Sequence, residues 1–246
     1  MELVAETIGW LADPAHWQGR AAIPTRLLEH LGLSALSLAI ALAIALPVGL
    51  RVGHTGRGAR LAVNVATLGR AIPSLAVMGL VLPVTAAMDP QNGFKIYPTV
   101  IAMVVLAVPP ILVNAYSGVA GVDRDLVEAS RAMGMRESEI LARVEIPVAL
   151  PVIAGGIRSG AVQIVATATL GAIFGGPGLG RYIVEAIAQN DDGMLFGGVV
   201  LVAGLSLATE LGFALIQRSL TSPGLRPPAR GWGSRVVPAP SRGGPI

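Results

Sequence analysis

Residues 128–147 read EASRAMGMRESEILARVEIP, a polar stretch lying between two long apolar runs. We define the polar segment as residues 123–147. Asp123 is a suitable N-cap for a short helix, and Gly134 is suited to end that helix because glycine accepts a positive φ. A second short helix then leads into Pro147, where the next apolar run begins. The pattern predicts two short helices joined at a glycine.

Helical periodicity indicates which side chains of the polar segment share a face. The apolar face of the first helix would be formed by Val122, Leu126, Ala129 and Met133, and we expect Leu126 and Met133 to pack on the membrane side. The opposite face would carry Arg124, Glu128 and Arg131. In the second helix, residues 136–146, Glu139 and Arg143 are four residues apart and are expected to pair. Two such helices could fit a groove on a partner protein; the alternative is an ordinary amphipathic loop.

The composition indicates a membrane protein. Of 246 residues, 53% are hydrophobic and 13% are charged, whereas a soluble domain carries about 25% charged residues. The chain has no Cys, which excludes disulfides and thiolate metal sites. His16, His30 and His54 are scattered, so we predict no metal site and assign them ordinary surface roles. The net charge of +3 is not concentrated in a basic block. The excess of basic residues is better explained by the cytoplasmic loops of a membrane protein than by nucleic-acid binding.

Five apolar runs approach the length of about 20 residues that a membrane-spanning helix needs. They are residues 31–50, 61–84, 96–122, 148–170 and 193–217. The second run is interrupted by Arg70 and Pro73, and the third contains Pro109-Pro110. The sequence therefore predicts an all-α polytopic membrane protein with about five transmembrane helices. Its predicted parts are an outer interfacial segment at 1–28, a transmembrane domain at 29–218 and a disordered cytoplasmic tail at 219–246.

The cationic residues indicate an orientation. With the N-terminus outside, the inner segments hold twelve Arg, and the outer segments hold four Arg or Lys. Because cytoplasmic loops carry the excess of positive charge, we expect the N-terminus outside and the C-terminus in the cytoplasm. Trp10 and Trp17 could then lie at the outer headgroup level. The acidic residues near the N-terminus and the lack of a cationic start predict no cleaved signal peptide.

The spacing within the polar segment resembles a known motif. Glu128-Ala129-Ser130 is followed after three residues by Gly134, and after nine more by Val144-Glu145-Ile146-Pro147. This resembles the EAA loop of ABC-importer permeases, written Glu-Ala-Ala, three residues, Gly, nine residues, Ile-x-Leu-Pro. This chain departs at Ser130, Val144 and Ile146, each a mild change. The resemblance implies that an ATPase is contacted by Glu128, Ala129, Ser130, Arg131, Gly134, Ile146 and Pro147.

Two other stretches extend the resemblance over residues 24–218. Residues 70–76, RAIPSLA, resemble the TIPSLA stretch of permeases for glycine betaine, carnitine, choline and related osmoprotectants. Residues 167–180, TATLGAIFGGPGLG, resemble their TATLGAFIGAGGLG stretch. Arg70 stands where that family usually has Thr, and Pro177 stands where it has Gly.

The resemblance implies a type I ABC importer with a MetI-like permease fold in the cell membrane. Its expected partners are a cytoplasmic ABC ATPase dimer, a second permease copy or paralogue, an external solute-binding protein and membrane lipid. This chain would be no enzyme and would bind no cofactor itself, because ATP and Mg would bind the partner ATPase. The sequence has no Gly-x-x-x-x-Gly-Lys-Ser/Thr segment, which is consistent with that expectation.

Three charged residues lie within the apolar runs: Arg70, Arg158 and Glu210. Each is roughly 12–18 Å from the cytoplasmic end of its run by helix rise. Because charge at such depth is costly and is usually paired, we predict that Glu210 pairs with Arg158 or Arg70; substrate contact and snorkelling are the alternatives. The glycines at 175–180 predict an external or re-entrant turn, since they follow a membrane span rather than a strand. The candidate gate and pathway residues are Arg70, Pro73, Arg158, Thr167, Thr169, Gly175, Gly176 and Glu210.

The sequence determines the transported substrate less well than it determines the fold. Quaternary ammonium groups are often held by aromatic cages, and the apolar runs contain few aromatic residues. We expect an external binding protein to select the substrate, an osmoprotectant such as glycine betaine, choline, carnitine or a proline-like zwitterion. One alternative is an ABC permease for methionine or another amino acid. The other is a secondary transporter or channel, which predicts inverted repeats or a selectivity filter.

Overall fold

The computed structural model describes residues 2–220, apart from the side chains of residues 65, 68, 70 and 71. The described residues form helices and connecting turns without a strand. The helices are α1 (Glu2–Ala12), α2 (Ile23–Thr55), α3 (Ala59–Ala71), α4 (Ser74–Met88), α5 (Tyr97–Ala120), α6 (Arg124–Ala132), α7 (Glu137–Ile140), α8 (Ile146–Ala168), α9 (Gly180–Gln189) and α10 (Asp192–Leu220). From residue 221 onward, the predicted tail at 219–246 lies outside the described residues.

Four helical stretches among the described residues are long and apolar enough to cross a membrane: Ile23–Thr55, Tyr97–Ala120, Glu137–Phe174 and Asp192–Leu220. The predicted run at 61–84 is instead divided between α3 and the 15-residue α4. Pro73 lacks a backbone N–H and disfavours helical backbone at the residue before it. Ile72 is accordingly extended, with φ −82° and ψ 124°. The prediction of one continuous helix there is therefore wrong, and the apolar part of the run is α4.

Small residues allow α2 to pack closely on α5, the central helix. Ala41, Ala45, Gly49 and Gly53 recur every four residues along one face of α2. A Cβ on Gly49 would lie 2.7 Å from the Cβ of Ala115, and one on Gly53 would lie 2.7 Å from the Cβ of Val119. Within a membrane, helices associate through such close approaches because apolar burial gives little net driving force.

α8 also packs on α5 and on α2, and its close approach to α5 again uses glycine. A Cβ on Gly156 would lie 2.5 Å from the Cβ of Asn114, and one on Gly160 would lie 3.0 Å from the side chain of Ile111. α10 packs on α8, and α9 and α1 pack on α10. Trp10 is therefore buried in the protein, 4.4 Å from the ring of His16 and 5.1 Å from that of Tyr182. The headgroup depth that the sequence suggests for Trp10 stays a prediction.

Candidate functional site

The first half of the polar segment folds as its capping residues predict. The carboxylate of Asp123 accepts a hydrogen bond from the N–H of Asp125 at 2.9 Å, and α6 follows. Gly134 has a φ of +87°. A Cβ there would meet no atom within 4 Å, so the glycine is required by backbone conformation rather than by space. The predicted helix start and glycine turn are confirmed.

The buried face of α6 differs from the prediction. Ser130 is buried and its hydroxyl donates to the carbonyl of Leu126 at 2.8 Å, while Val127 packs against Val119 and Val122. Met133, expected to pack, is 75% exposed, and Leu126 is exposed too. Helix α6 is thus rotated so that Val127 and Ser130 face the bundle. This rotation of α6 leaves an exposed apolar stripe made of Leu126, Ala129 and Met133.

An ion pair spans the turn at Gly134. The guanidinium of Arg131 donates to both carboxylate oxygens of Glu137, from Nε at 2.7 Å and from Nη2 at 3.0 Å. These hydrogen bonds lower the pKa of Glu137 and raise the pKa of Arg131. A bidentate pair fixes the relative orientation of its two partners. Arg131, a predicted ATPase contact, is therefore held against α7.

The second half of the segment runs into the membrane span without a break. The carboxylate of Glu139 accepts from the N–H of Arg136 at 3.0 Å. The predicted pair of Glu139 with Arg143 is wrong, since residues 2–220 contain no such ion pair. A π-helical turn at Leu141–Glu145 precedes α8, and the N–H of Ile146 bonds to the carbonyl of Leu141. The widened turn lies where Pro147 cannot supply an N–H to the helix.

A histidine from α2 joins this segment. Nδ1 of His54 lies 2.5 Å from Oε2 of Glu145, and Nε2 lies 3.3 Å from Oε2 of Glu137. The His54 and Glu145 side chains are only 13% and 6% exposed. The surface role expected for His54 is therefore wrong. No local pattern could have revealed the contact, because His54 and Glu145 are 91 positions apart.

An open groove of about 510 Å³ lies between α6 and the end of α2. Glu128 and Arg131 line it from α6, His54 lines it from α2, and Tyr116 lines it from α5. Glu128 is exposed, which agrees with its predicted position on the polar face. The motif residues Glu128 and Arg131 and the unexpected His54 thus share one cavity at this end of the bundle.

A second ionic contact lies within the spans. Nε of Arg158 on α8 is 3.3 Å from Oε1 of Glu210 on α10, which confirms the prediction for this pair. The side chain of Arg70, the alternative partner of Glu210, lies outside the described residues. The two side chains are 35% and 42% exposed in the single chain. Charges facing lipid are costly, so this position needs a covering partner or a polar path.

The glycine-rich stretch forms the turn that its sequence predicts. Buried Thr167 lies in α8, and Thr169 begins a 3₁₀ turn that ends at Gly175, whose φ is +76°. A Cβ on Gly176 would lie 2.8 Å from the carbonyl oxygen of Gly171, so only glycine fits there without a shift. Farther along, the N–H of Gly178 donates to the carboxylate of Glu29 on α2 at 3.0 Å.

These features match a known family. A family model described as "Binding-protein-dependent transport system inner membrane component" matches residues 35–222, which include the polar segment. The chain belongs to this family. It is a multi-pass inner-membrane transport component, as the EAA resemblance implied.

Named members of the family are similar over most of the chain. The carnitine transport permease protein OpuCB of Listeria monocytogenes is 32% identical over 198 residues, which are 80% of this chain and 88% of that protein. The osmoprotectant import permease protein OsmW of Salmonella typhimurium is 31% identical over 221 residues, which are 90% of this chain and all of that protein. The predicted resemblance to osmoprotectant permeases is confirmed.

Solved structures of other ABC transporters share the fold. A structure of the MetNI methionine ABC transporter in an inward-facing conformation has a TM-score of 0.72 and 22% identity, covering 86% of this chain and 100% of the matched one. An amino acid ABC transporter has a TM-score of 0.62 and 18% identity, covering 81% and 92%. At these identities the likeness is one of fold, and it confirms the predicted MetI-like permease architecture.

Proposed function

We propose that the chain is the permease subunit of an ATP-driven importer of osmoprotectants and that the polar segment receives the force of its ATPase. The observation that carries the proposal is the exposed apolar stripe on α6, which is anchored to the bundle on its other side. Its buried Ser130 and partly buried Val127 anchor it to the bundle, while its other faces present Leu126, Met133 and Glu128 outward. An exposed apolar stripe bordered by charge marks a protein-binding surface.

The proposed docking uses two kinds of contact. The apolar stripe of α6 fills a groove on a cytoplasmic ABC ATPase, and Glu128 meets polar groups at its margin. Ala129, which is small and exposed, allows close approach. Ile146 and Pro147 begin α8 and convey movement of the segment into the span. ATP and Mg bind the ATPase dimer, and hydrolysis there drives this chain between inward- and outward-open states.

The orientation follows from charge. We propose that α4 also crosses the membrane, which gives five crossings with the N-terminus outside and the polar segment in the cytoplasm, because the inner segments predicted for five spans hold twelve Arg. Under this orientation, the groove beside His54 opens toward the ATPase. The turn at Gly175 and Gly176 then lies outside, where its link to α2 through Gly178 can close an outer gate.

The translocation path is proposed to lie between this chain and a second permease, a copy or a paralogue. Arg158 and Glu210 are partly exposed in the single chain, so a second permease or the polar path itself covers them. Thr167 is buried and Thr169 is partly buried beside the outer turn, and both continue the same path. Pro73 separates α3 from α4, while Arg70 occupies the last turn of α3.

The substrate proposal is supported by the relatives. Those with about 30% identity are named for carnitine, choline, glycine betaine or osmoprotectant transport. An external solute-binding protein would select the ligand, since the spans hold few aromatic side chains. The structures named for methionine and amino acids resemble the chain at 22% and 18% identity, which favours the amino-acid alternative less.

The test of coupling uses Gly134→Val and Glu128→Arg, reconstituted with the ATPase and the binding protein. A β-branched residue at φ +87° is strained, and Glu128→Arg inverts the charge at the docking margin. Both variants should insert normally and yet lose uptake, either by weaker ATPase association or by uncoupled hydrolysis. Ser130→Ala is the matched control, because it stays buried and loses only a bond to Leu126. Normal uptake with normal ligand-stimulated hydrolysis in both severe variants would refute the coupling role.

A further inference from the structure

We infer that His54 is a positioning residue that ties α2 to the polar segment, so that a displacement imposed on α6 moves α2 together with α8. The inference rests on the proposed function, since it assigns the route by which force from an ATPase spreads through the bundle. Neither His54 nor its partner Glu145 is among the motif residues expected to contact the ATPase.

Chain connectivity alone does not link α2 to the polar segment. The segment continues from α5 and leads into α8, whereas α2 is followed in the chain by α3. The principal packing of α2 is on α5 and α8, with only marginal backbone contact to the segment. The two contacts of the His54 side chain, to Glu145 and Glu137, are therefore the specific link.

The chemistry of the contact favours a firm link. His54 lies in the last turn of α2, and each of its two ring nitrogens faces a carboxylate oxygen, one from Glu145 and one from Glu137. The Glu145 carboxylate is buried, and a buried charge is costly without a partner. His54 supplies that partner.

The network continues to the proposed docking helix. Oε2 of Glu137 contacts both Nε2 of His54 and Nη2 of Arg131, at 3.3 Å and 3.0 Å. An unbroken series of polar side-chain contacts thus runs from Arg131 on α6 through Glu137 and His54 to Glu145 at the base of α8. Spatial continuity does not establish energetic coupling, so the test measures coupling itself.

The experiment compares His54→Ala, Glu145→Ala and the double variant in vesicles containing the ATPase and the solute-binding protein. The readout is solute imported per ATP hydrolysed, with glycine betaine as the probe. His54→Ala should lower this ratio by at least about fivefold, as the loss of a typical coupling free energy predicts, while hydrolysis continues. The double variant should be no worse than His54→Ala, since both changes break the same contact.

Controls separate this role from simple stabilisation. Thr55→Ala alters the same turn of α2 and removes a hydrogen bond to the carbonyl of Arg51 and one from the N–H of Arg57. Neither belongs to the His54 contact, so the ratio for Thr55→Ala should equal that of the wild type. If His54→Ala does not insert, Glu145→Gln provides the measurement, because its amide keeps the shape and loses the charge. Its ratio should fall in the same direction.

Two results would overturn the inference: a wild-type ratio in the inserted His54 or Glu145 variant, or independent effects that multiply in the double variant. A failure of the proposed function is distinguishable from either. In that case, the wild-type protein itself would show no ATP-dependent uptake, or Gly134→Val would be harmless.

Discussion

The close contact of α8 with α5 gives a stability prediction with an adjacent control. Gly156→Ala would place a Cβ 2.5 Å from the Cβ of Asn114 and 2.9 Å from the carbonyl oxygen of Pro110. Both atoms are fixed by the backbone, so no change of rotamer relieves the clash. Gly155→Ala, one position earlier on α8, would meet only the side-chain nitrogen of Gln217, at an ordinary 3.4 Å.

Two contributions to the free energy of unfolding act in opposite directions here: the helix propensity of alanine and the clash of its Cβ. Replacing glycine by alanine within a helix favours folding by about 0.8–1.0 kcal/mol in aqueous hosts. Overpacking a close contact costs about 1–3 kcal/mol. Gly155→Ala should therefore be neutral or stabilising, and Gly156→Ala should be less stable than Gly155→Ala by about 1–3 kcal/mol. For a chain of this size, this difference corresponds to roughly 2–12 °C in Tm.

The assay is thermal unfolding of the purified permease in detergent, followed by the loss of the monodisperse peak in size-exclusion chromatography. Expression and membrane insertion of both variants are compared first. The reasoning is refuted if Gly156→Ala melts at or above the temperature of Gly155→Ala, because α8 would then not lie against α5 at the distance described.

Three further predictions concern charge. For topology, a Cys at Arg57 should resist an impermeant external reagent in intact cells while a Cys at Gln91 reacts, and external labelling at position 57 would contradict the proposed orientation. Glu210→Gln should lower detergent stability and show a coupling of about 0.6 kcal/mol with Arg158→Gln in a double-mutant cycle, the average for polar contacts between membrane helices; strictly additive losses would exclude the pair. The pKa of Asp89 is lowered from 3.8 to about 2. The main cause is the hydrogen bond that its carboxylate accepts from the N–H of Asn92. The carboxylate also accepts hydrogen bonds from the Asn92 side chain, the N–H of Gln91 and the hydroxyl of Tyr97. Since a lowered pKa stabilises the fold above pH 3.8, the Tm advantage over Asp89→Asn should be constant near neutral pH and disappear as pH falls from 3.8 to about 2; an advantage that persists at pH 2 would contradict this assignment.

The sequence by itself determined the class of the protein and the local form of the polar segment. Long apolar runs predict membrane helices because the bilayer core has a fixed thickness. Asp123 and Gly134 gave the start and end of α6 because capping and positive φ depend on adjacent residues. The EAA spacing gave the family for the same reason, since it is a pattern within one short stretch. The break at Pro73 is visible in the sequence too, and it divides the apolar run at 61–84 into two helices.

Only the tertiary structure decided how the helices are turned and which distant residues meet. Periodicity groups Leu126 and Met133 on one face of α6, but it cannot say whether that face is buried; the docking of Val127 and Ser130 left it exposed. The His54–Glu145 and Arg158–Glu210 contacts join residues 91 and 52 positions apart. Such contacts depend on the rotation and depth of one helix against another, which is set by the close approaches at Gly49, Gly53 and Gly156 and is absent from any local pattern.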